Sequence, residues 1–516
     1  MNFIAKYLCT QEQQSMRSPI LSALLVLSLG GCTVIPQPLD NDELSKQAQD
    51  RLSRVTMDQE PIAKPINLYD AMARALKYNL DYKVELMEEA LRMKEVDLSH
   101  FDLLPQLVAT GGYTGRDKYA GASSRSLLTN TESLEPSTSS ERDGINADLS
   151  LSWDVLDFGL SYVRSKQKAD QALIALENRR NVANRIIEDV RTAFWRAVSA
   201  ERMLTKLNGL EQNVEDNLAG SRELEKRRAT APLKALTYQR ELIGIKREIQ
   251  RLQRELMIAK RQLAALMNLT PNDKFSLVIP DRSSPVLKQP YKVDDMVTFA
   301  LVNRSELREV SYRLRINENE LDAALLSVFP SFRMFLGANY NSNDFLFNDN
   351  WVNWGAQASW NVMNVFRYPT HKKAIKAQDD LLDTRALALT MAVMTQVHVA
   401  HARYNHLSKT FATVQEENSI QVRIMEQIRS GFKADTVSQQ TLIREEMKSL
   451  ITEVKYDIAF ADMQNAYANL FAAVGIDDFG PDITGAESLT QISSSLENLW
   501  ASRTNQSRLS EVISKE

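Results

Sequence analysis

The sequence predicts a mainly α-helical chain that carries a small set of membrane β-strands and is built twice over. Three observations point there. Four segments alternate apolar and polar residues, the clearest inside "GINADLSLSWDVLDFG" from Gly144 to Gly159. After each strand pair comes a helical pattern too long for any globule. The second half of the chain also repeats the first.

The first element is a targeting segment. Arg17 precedes an apolar run from Ile20 to Leu29, and Leu29-Gly30-Gly31-Cys32 follows. A short apolar core after a positive charge, ending in small residues, marks a secretory signal rather than a membrane span. Leu-Gly-Gly-Cys resembles a bacterial lipobox, which implies cleavage after residue 31 and acylation of Cys32. By the same resemblance, Thr33 beside that cysteine favours the outer membrane. Met16, immediately before Arg17, competes with Met1 as the start. The other cysteine of the two is Cys9. It lies upstream of the cleavage point, so the mature chain has no disulfide to form. Residues 32–67 hold Pro36, Pro38, Pro61 and Pro65 and read as extended. No apolar run of transmembrane-helix length follows Leu29, so a crossing would have to use strands.

The duplication has two offsets. Leu68, Asp70, Ala75, Asp97 and Pro105 recur as Val293, Asp295, Ala300, Asp322 and Pro330, with 330 − 105 = 225. "SWDVLDF" from Ser152 recurs as "SWNVMNV" from Ser359, with 359 − 152 = 207. The difference, 225 − 207 = 18, falls between the two strands of each copy, so the first copy has the longer loop. The copies are 68–269 and 293–476, each reading helix, strand, loop, strand, long helices. The strand hairpins lie at 105–158 and 330–365, and the long helices at 159–269 and 366–476.

Each hairpin has one apolar and one polar face. Ile145, Leu149, Leu151 and Trp153 alternate with Asn146, Asp148, Ser150 and Ser152. Val352, Trp354, Ala356, Ala358 and Trp360 alternate with Asn353, Gly355, Gln357 and Ser359. About 9–11 residues suffice for a tilted strand to cross the apolar layer, with hydrocarbon on one side and water on the other. A soluble sandwich would use the same alternation, but four isolated strands in 516 residues make a poor sandwich. Four strands cannot close a barrel, and an open edge in lipid is not viable, so the chain must oligomerise. The loops from Arg116 to Asp143 and from Asn341 to Asn350 are polar and read as solvent-facing tips.

From Gly159 to Leu269 the only proline is Pro232. Ala183, Ile186, Val190, Ala193, Ala197, Ala200, Leu204 and Leu207 step by three and four, the coiled-coil period. Adding 207 to the first six gives Thr390, Val393, Val397, Ala400, Tyr404 and Leu407 in the same rhythm. A helix from Gly159 to about Lys226 would be on the order of 100 Å long. It should end near Pro232, with a second helix returning to Leu269. In the second copy the break falls in "RSGFKADTVSQQ", with Gly431 as C-cap and Asp435 or Thr436 as N-cap.

Tandem duplication, the openings "LYDAMARAL" and "VDDMVTFAL", a proline before each first strand, and "WDVLDFG" at the long helix together resemble the TolC family of outer-membrane efflux proteins. Val365 and Phe366 depart from the family's usual helix start. The resemblance covers about Leu68 to Ile476. It implies a homotrimer whose twelve-stranded barrel continues into a twelve-helix periplasmic tunnel. It further implies a passive exit duct, docked by a periplasmic adaptor and driven by an inner-membrane transporter of the resistance-nodulation-division (RND) or ABC type. The linker 270–292 and the tail 477–516 would form a belt around the tunnel's middle.

No catalytic motif stands out: GxSxG, the P-loop and HExxH are all missing. No cofactor and no metal are expected; His398, His401 and His406 read as ordinary helix surface. A net charge of −4 gives no reason to expect nucleic acid. The residues singled out are Cys32 for lipidation, and Ile145, Leu149, Leu151, Trp153, Trp354 and Trp360 for contact with outer-membrane lipid. Asp435, Arg227 and Arg228 are the candidates for pore gating, through contacts between neighbouring helix pairs. The family's usual acidic positions hold Val437 and Gln440 instead. The rival reading, from another class, is a lipid-anchored periplasmic coiled coil without transport.

Overall fold

The computed structural model describes residues 38–504 apart from 56, 58, 134, 230, 271–272, 283–291 and 477–486; of 502–504 only the backbone is described. Cys32 and the signal segment lie outside the described residues. The chain divides into residues 1–58 and residues 59–516.

The first unit corrects the expected extended segment. Asn41–Val55 forms helix α1. The prolines that suggest an extended chain lie outside it, and its interior is laced by i,i+4 contacts: Gln47 to Glu43, Arg51 to Gln47 and Arg54 to Asp50. Asp42 and Glu43 in its first turn and Arg54 in its last match the helix dipole.

The second unit is the duplicated body. Helices α2 (Leu68–Tyr78) and α3 (Leu80–Phe101) lead to strands β1 (Gln106–Gly115) and β2 (Asp143–Asp154). Helices α4 (Val155–Lys226) and α5 (Pro232–Leu266) follow. The second copy runs α6 (Val293–Asn303), α7 (Ser305–Leu326), β3 (Ser331–Asn341), β4 (Asn350–Ser359), α8 (Met363–Lys433) and α9 (Gln439–Val474). Helix α10 (Leu489–Thr504) closes the described chain. The starts of α2 and α6 differ by 293 − 68 = 225 and the ends of α4 and α8 by 433 − 226 = 207, the two offsets read from the sequence.

The strands form one antiparallel sheet in the order β1-β2-β3-β4. Beyond the sheet, α4 and α8 are the long members. At 72 residues α4 is about 110 Å long. α3 runs antiparallel along its first third, with Ser99 facing Ser165 at 2.9 Å and Glu89 facing Arg179. α5 runs antiparallel along its last third, where Lys260 meets Glu201 and Lys246 meets Glu215. On its other side α4 meets α7 through Gln167 and Glu320, then α9 through Glu188 and Asn469. The predicted seam is buried. Val190, Ala197, Ala200 and Leu207 are wholly inaccessible, and the same rhythm continues through Leu210, Val214 and Leu218. Val393, Val397, Ala400 and Tyr404 are buried likewise in α8.

Pro369 lies within the second turn of α8 and the helix runs on through it. It forfeits one backbone hydrogen bond.

The linker and the last helix join one buried cluster midway along α4. Ile66 pairs in parallel with Leu277. Ile492, Leu496 and Trp500 of α10 pack with Met72 and Leu76 of α2 and with Val190 and Phe194 of α4. Arg191 of α4 is buried there, its guanidinium 4.3 Å from the Trp500 ring centre and donating to the Gln464 carbonyl. Burial lowers its pKa to about 10, so it remains charged at neutral pH and the indole face is its counterpart.

Candidate functional site: the strand wall and the helix tips

The sheet is amphipathic in the reverse sense to a soluble one. The register carries apolar rows across all four strands: Leu107–Leu151–Leu336–Trp354 and Ala109–Leu149–Ala338–Val352. These residues are exposed, with Leu149 at 47% and Trp354 at 81% of full accessibility; the edge strands β1 and β4 are open on both faces, and the contrast between faces is clearest in β2. Ile145, Leu151, Trp153 and Trp360 are exposed on the same wall. Their polar neighbours Asp148, Ser150 and Ser152 are half-buried. An apolar outside and a polar inside is what a wall between hydrocarbon and water requires. Both edges of the sheet, β1 and β4, are unpaired among the described residues.

The polar face is closely fitted. The Phe335 ring lies directly over Gly355, where a Cβ would sit 2.7 Å from the ring. Glycine is therefore required there to let the ring lie flat across the strands. Asn339 donates to Asn353 at 2.9 Å, and the Thr110 hydroxyl donates to Asp148.

The joint with the helices differs from expectation by four residues. α4 begins at Val155, not Gly159, because Asp154 is its N-cap. Its carboxylate accepts from the Leu156 and Asp157 amides at 3.0 and 3.2 Å and from the Ser331 hydroxyl. In the sequence Asp154 reads only as another polar residue in the strand alternation. Trp153 packs edge-on against Phe158 across this joint, and the Trp360 indole donates to the Val328 carbonyl at 2.9 Å.

At the far ends of α4 and α8 the tips share one motif. Arg228 and Asp435 both have left-handed backbones, φ 55° and 53°, and 435 − 228 = 207. In each, a 6→1 bond (Ala229 to Leu224, Thr436 to Gly431) pairs with a 5→2 bond (Arg228 to Glu225, Asp435 to Phe432). This is the Schellman arrangement that satisfies the last carbonyls of a helix. Three expectations are corrected here. Gly431 is not the C-cap: it sits inside α8, whose cap is Ala434. A side chain at 431 would strike Val437, at 2.6 Å, so glycine is kept there for packing. Neither Asp435 nor Thr436 is the N-cap of α9; Ser438 is, accepting from the Thr441 amide. α4 ends at Lys226 as expected, but through this cap and not through Pro232. That proline occupies the first turn of α5, where its missing N–H costs nothing.

Of the candidate gating residues, Arg227 pairs with Glu223 one turn back at 2.6 Å. Among the described residues no ion pair joins Arg227 or Arg228 to Asp435. The two tips are nonetheless neighbours, since Glu241 of α5 binds both Arg444 and Gln440 of α9. An arginine in the left-handed region is strained by about 1–2 kcal/mol relative to glycine. Arg228→Gly should therefore raise stability by up to about 1 kcal/mol, allowing for glycine's entropy cost, and a raised thermal midpoint would show it.

His398, His401 and His406 lie along α8 without converging. His401 meets Asn405 at 3.3 Å, and no cluster of three or more metal-ligating side chains occurs among the described residues.

No family model and no curated protein matches the sequence. Solved structures do match. CusC, studied for folding and transmembrane channel formation, is 17% identical with a TM-score of 0.60, over 82% of this chain and 96% of that one. The CmeC outer membrane channel of Campylobacter jejuni is 12% identical with a TM-score of 0.60, over 90% and 97%. The open-state MtrE outer membrane channel of Neisseria gonorrhoeae is 16% identical with a TM-score of 0.58, over 86% and 98%. The chain has the fold of these outer-membrane channels.

Proposed function

We propose that this chain is a TolC-family outer-membrane channel, a passive exit duct assembled from three copies. The reading rests above all on the four-stranded sheet with its apolar side outward and both edges open. Three such sheets make twelve strands, and joining each β1 to the next copy's β4 leaves no edge in lipid. The helices continue the wall below the membrane as a tunnel. Cys32, in its lipobox context, anchors the chain through an acyl group. A periplasmic adaptor and an inner-membrane transporter of RND or ABC type supply the energy, since the chain carries no nucleotide motif. The tips form the closed end. Asp435 of one copy would meet Arg227 or Arg228 of the next, because within a single chain these groups stay apart. A non-transporting periplasmic coiled coil would leave the outward apolar wall without a purpose.

The test is reconstitution in a planar bilayer. The purified protein should insert as low-conductance pores in the resting state, and Asp435→Ala should raise that conductance severalfold. Absence of any pore, with the protein recovered without detergent, would overturn the duct. Pores unaffected by Asp435→Ala would remove only the gate.

A further inference from the structure

We propose that the middle of the barrel is a filter favouring cations, set by Asp148 and faced by Trp351. The inference rests on the duct reading, which makes the polar face of the sheet the lumen.

The strands carry only four charged residues: Asp143, Asp148, Asp154 and Arg333. Asp143 stands at the outer end of β2. Asp154 and Arg333 face each other across β2 and β3 at 3.9 Å, at the end nearest the helices. They offset one another, and Asp154 is further committed to capping α4. Asp148 alone is left, mid-strand and roughly 20 Å from either end of β2. Its polar partner is the neutral Thr110 hydroxyl, which leaves the carboxylate charge in place.

The register puts Thr110, Asp148, Asn339 and Trp351 in one row on the polar face. Asn339 is turned to Asn353. Trp351 is the only tryptophan of the sheet on this side; Trp153 and Trp354 face out. It keeps 43% of its surface exposed. Two strand spacings, about 10 Å, separate the Asp148 and Trp351 backbones, so one organic cation can meet both the carboxylate and the indole face. Three copies would place three carboxylates and three indoles around one level of the lumen. Unneutralised carboxylate rings select cations in channels, and a low-dielectric wall strengthens the field.

The experiment measures reversal potential across a bilayer in a KCl gradient. Wild-type pores should prefer K+ over Cl−. Asp148→Asn, which keeps the size and can still accept from Thr110, should lower that preference roughly twofold or more, most clearly at low salt. Trp351→Leu should keep the ion preference but weaken block by ethidium, an aromatic monovalent cation, added on the barrel side. The same ion preference in wild-type and Asp148→Asn pores would overturn the filter while leaving the duct intact. Equal ethidium block in wild type and Trp351→Leu would remove the indole from it. Wild-type protein that forms no pores at all would instead overturn the duct.

Discussion

Asp457→Ala is expected to destabilise the body by about 3–5 kcal/mol, the cost of removing one partner from a buried ionic network. Asp457 on α9 is buried between two arginines. It binds Arg202 of α4 and the Arg282 Nε of the linker, the latter at 2.6 Å, with the Ser199 hydroxyl at 3.4 Å. Burial pushes its carboxyl pKa up, against the two guanidiniums that favour its charged form. Arg282 also reaches Glu453 and stacks 4.9 Å over Tyr456, while Arg202 donates to the Pro280 carbonyl. One carboxylate therefore fastens the linker to both copies of the repeat. Alanine would leave two guanidiniums with too little negative charge around them. Thermal unfolding followed by the helical circular-dichroism signal should show a large downward shift. Ser199→Ala should cost less than about 1 kcal/mol, since its bond is long. An Asp457→Ala midpoint within about a degree of wild type would contradict this role for the network.

Leu149→Asp is expected to block membrane assembly, whereas Ser150→Asn should be tolerated. The two residues are adjacent, but their side chains take opposite faces of β2. Leu149 lies in the central apolar row between Ala109 and Ala338. A charged side chain on the lipid face near mid-depth costs up to about 2 kcal/mol per chain for an acid. In an oligomer the penalty is incurred once per copy. The amide introduced at position 150 would face water beside Val108 and Gly337, where it is readily hydrated. The measurement is the yield of heat-modifiable oligomer in the outer-membrane fraction. Equal yields for the two variants would contradict opposite facing of Leu149 and Ser150.

The strands and the long helices are legible in the sequence because their periods are physical necessities of their surroundings. Leu149 and Ser150 alternate since the two faces of the strand differ, one apolar and one polar, and Val190 and Ala197 recur since one stripe is buried. The tips are opaque for an equally physical reason. Arg228 and Asp435 take left-handed backbones without being glycine, so composition gives no signal. The duplication holds the clue one cap further along. Asn268, φ 57°, corresponds to Gly475, φ 80°, with 475 − 268 = 207, and there the second copy spells out the left-handed position. Helix α1 is hidden because the prolines on either side outweigh the i,i+4 pairs between them. The Asp457 network cannot be read from the sequence at all. Its members come from 199–202, 282 and 453–457, and only the fold brings them together.

The two open edges of the sheet also bear on how the proposed duct would be made. β2 and β3 pair residues almost 200 positions apart, Asn146 with Asn341, so the four-stranded sheet cannot complete until the chain has been made as far as β4. In the three-copy duct proposed above, β1 and β4 of each chain would present rows of unpaired amides and carbonyls beside an exposed apolar face until the copies meet. Such open edges are templates for further strands, so ring closure would compete with runaway strand addition. The yield of closed rings would then be a kinetic quantity, governed by chain supply and by how well single chains are kept apart before they insert.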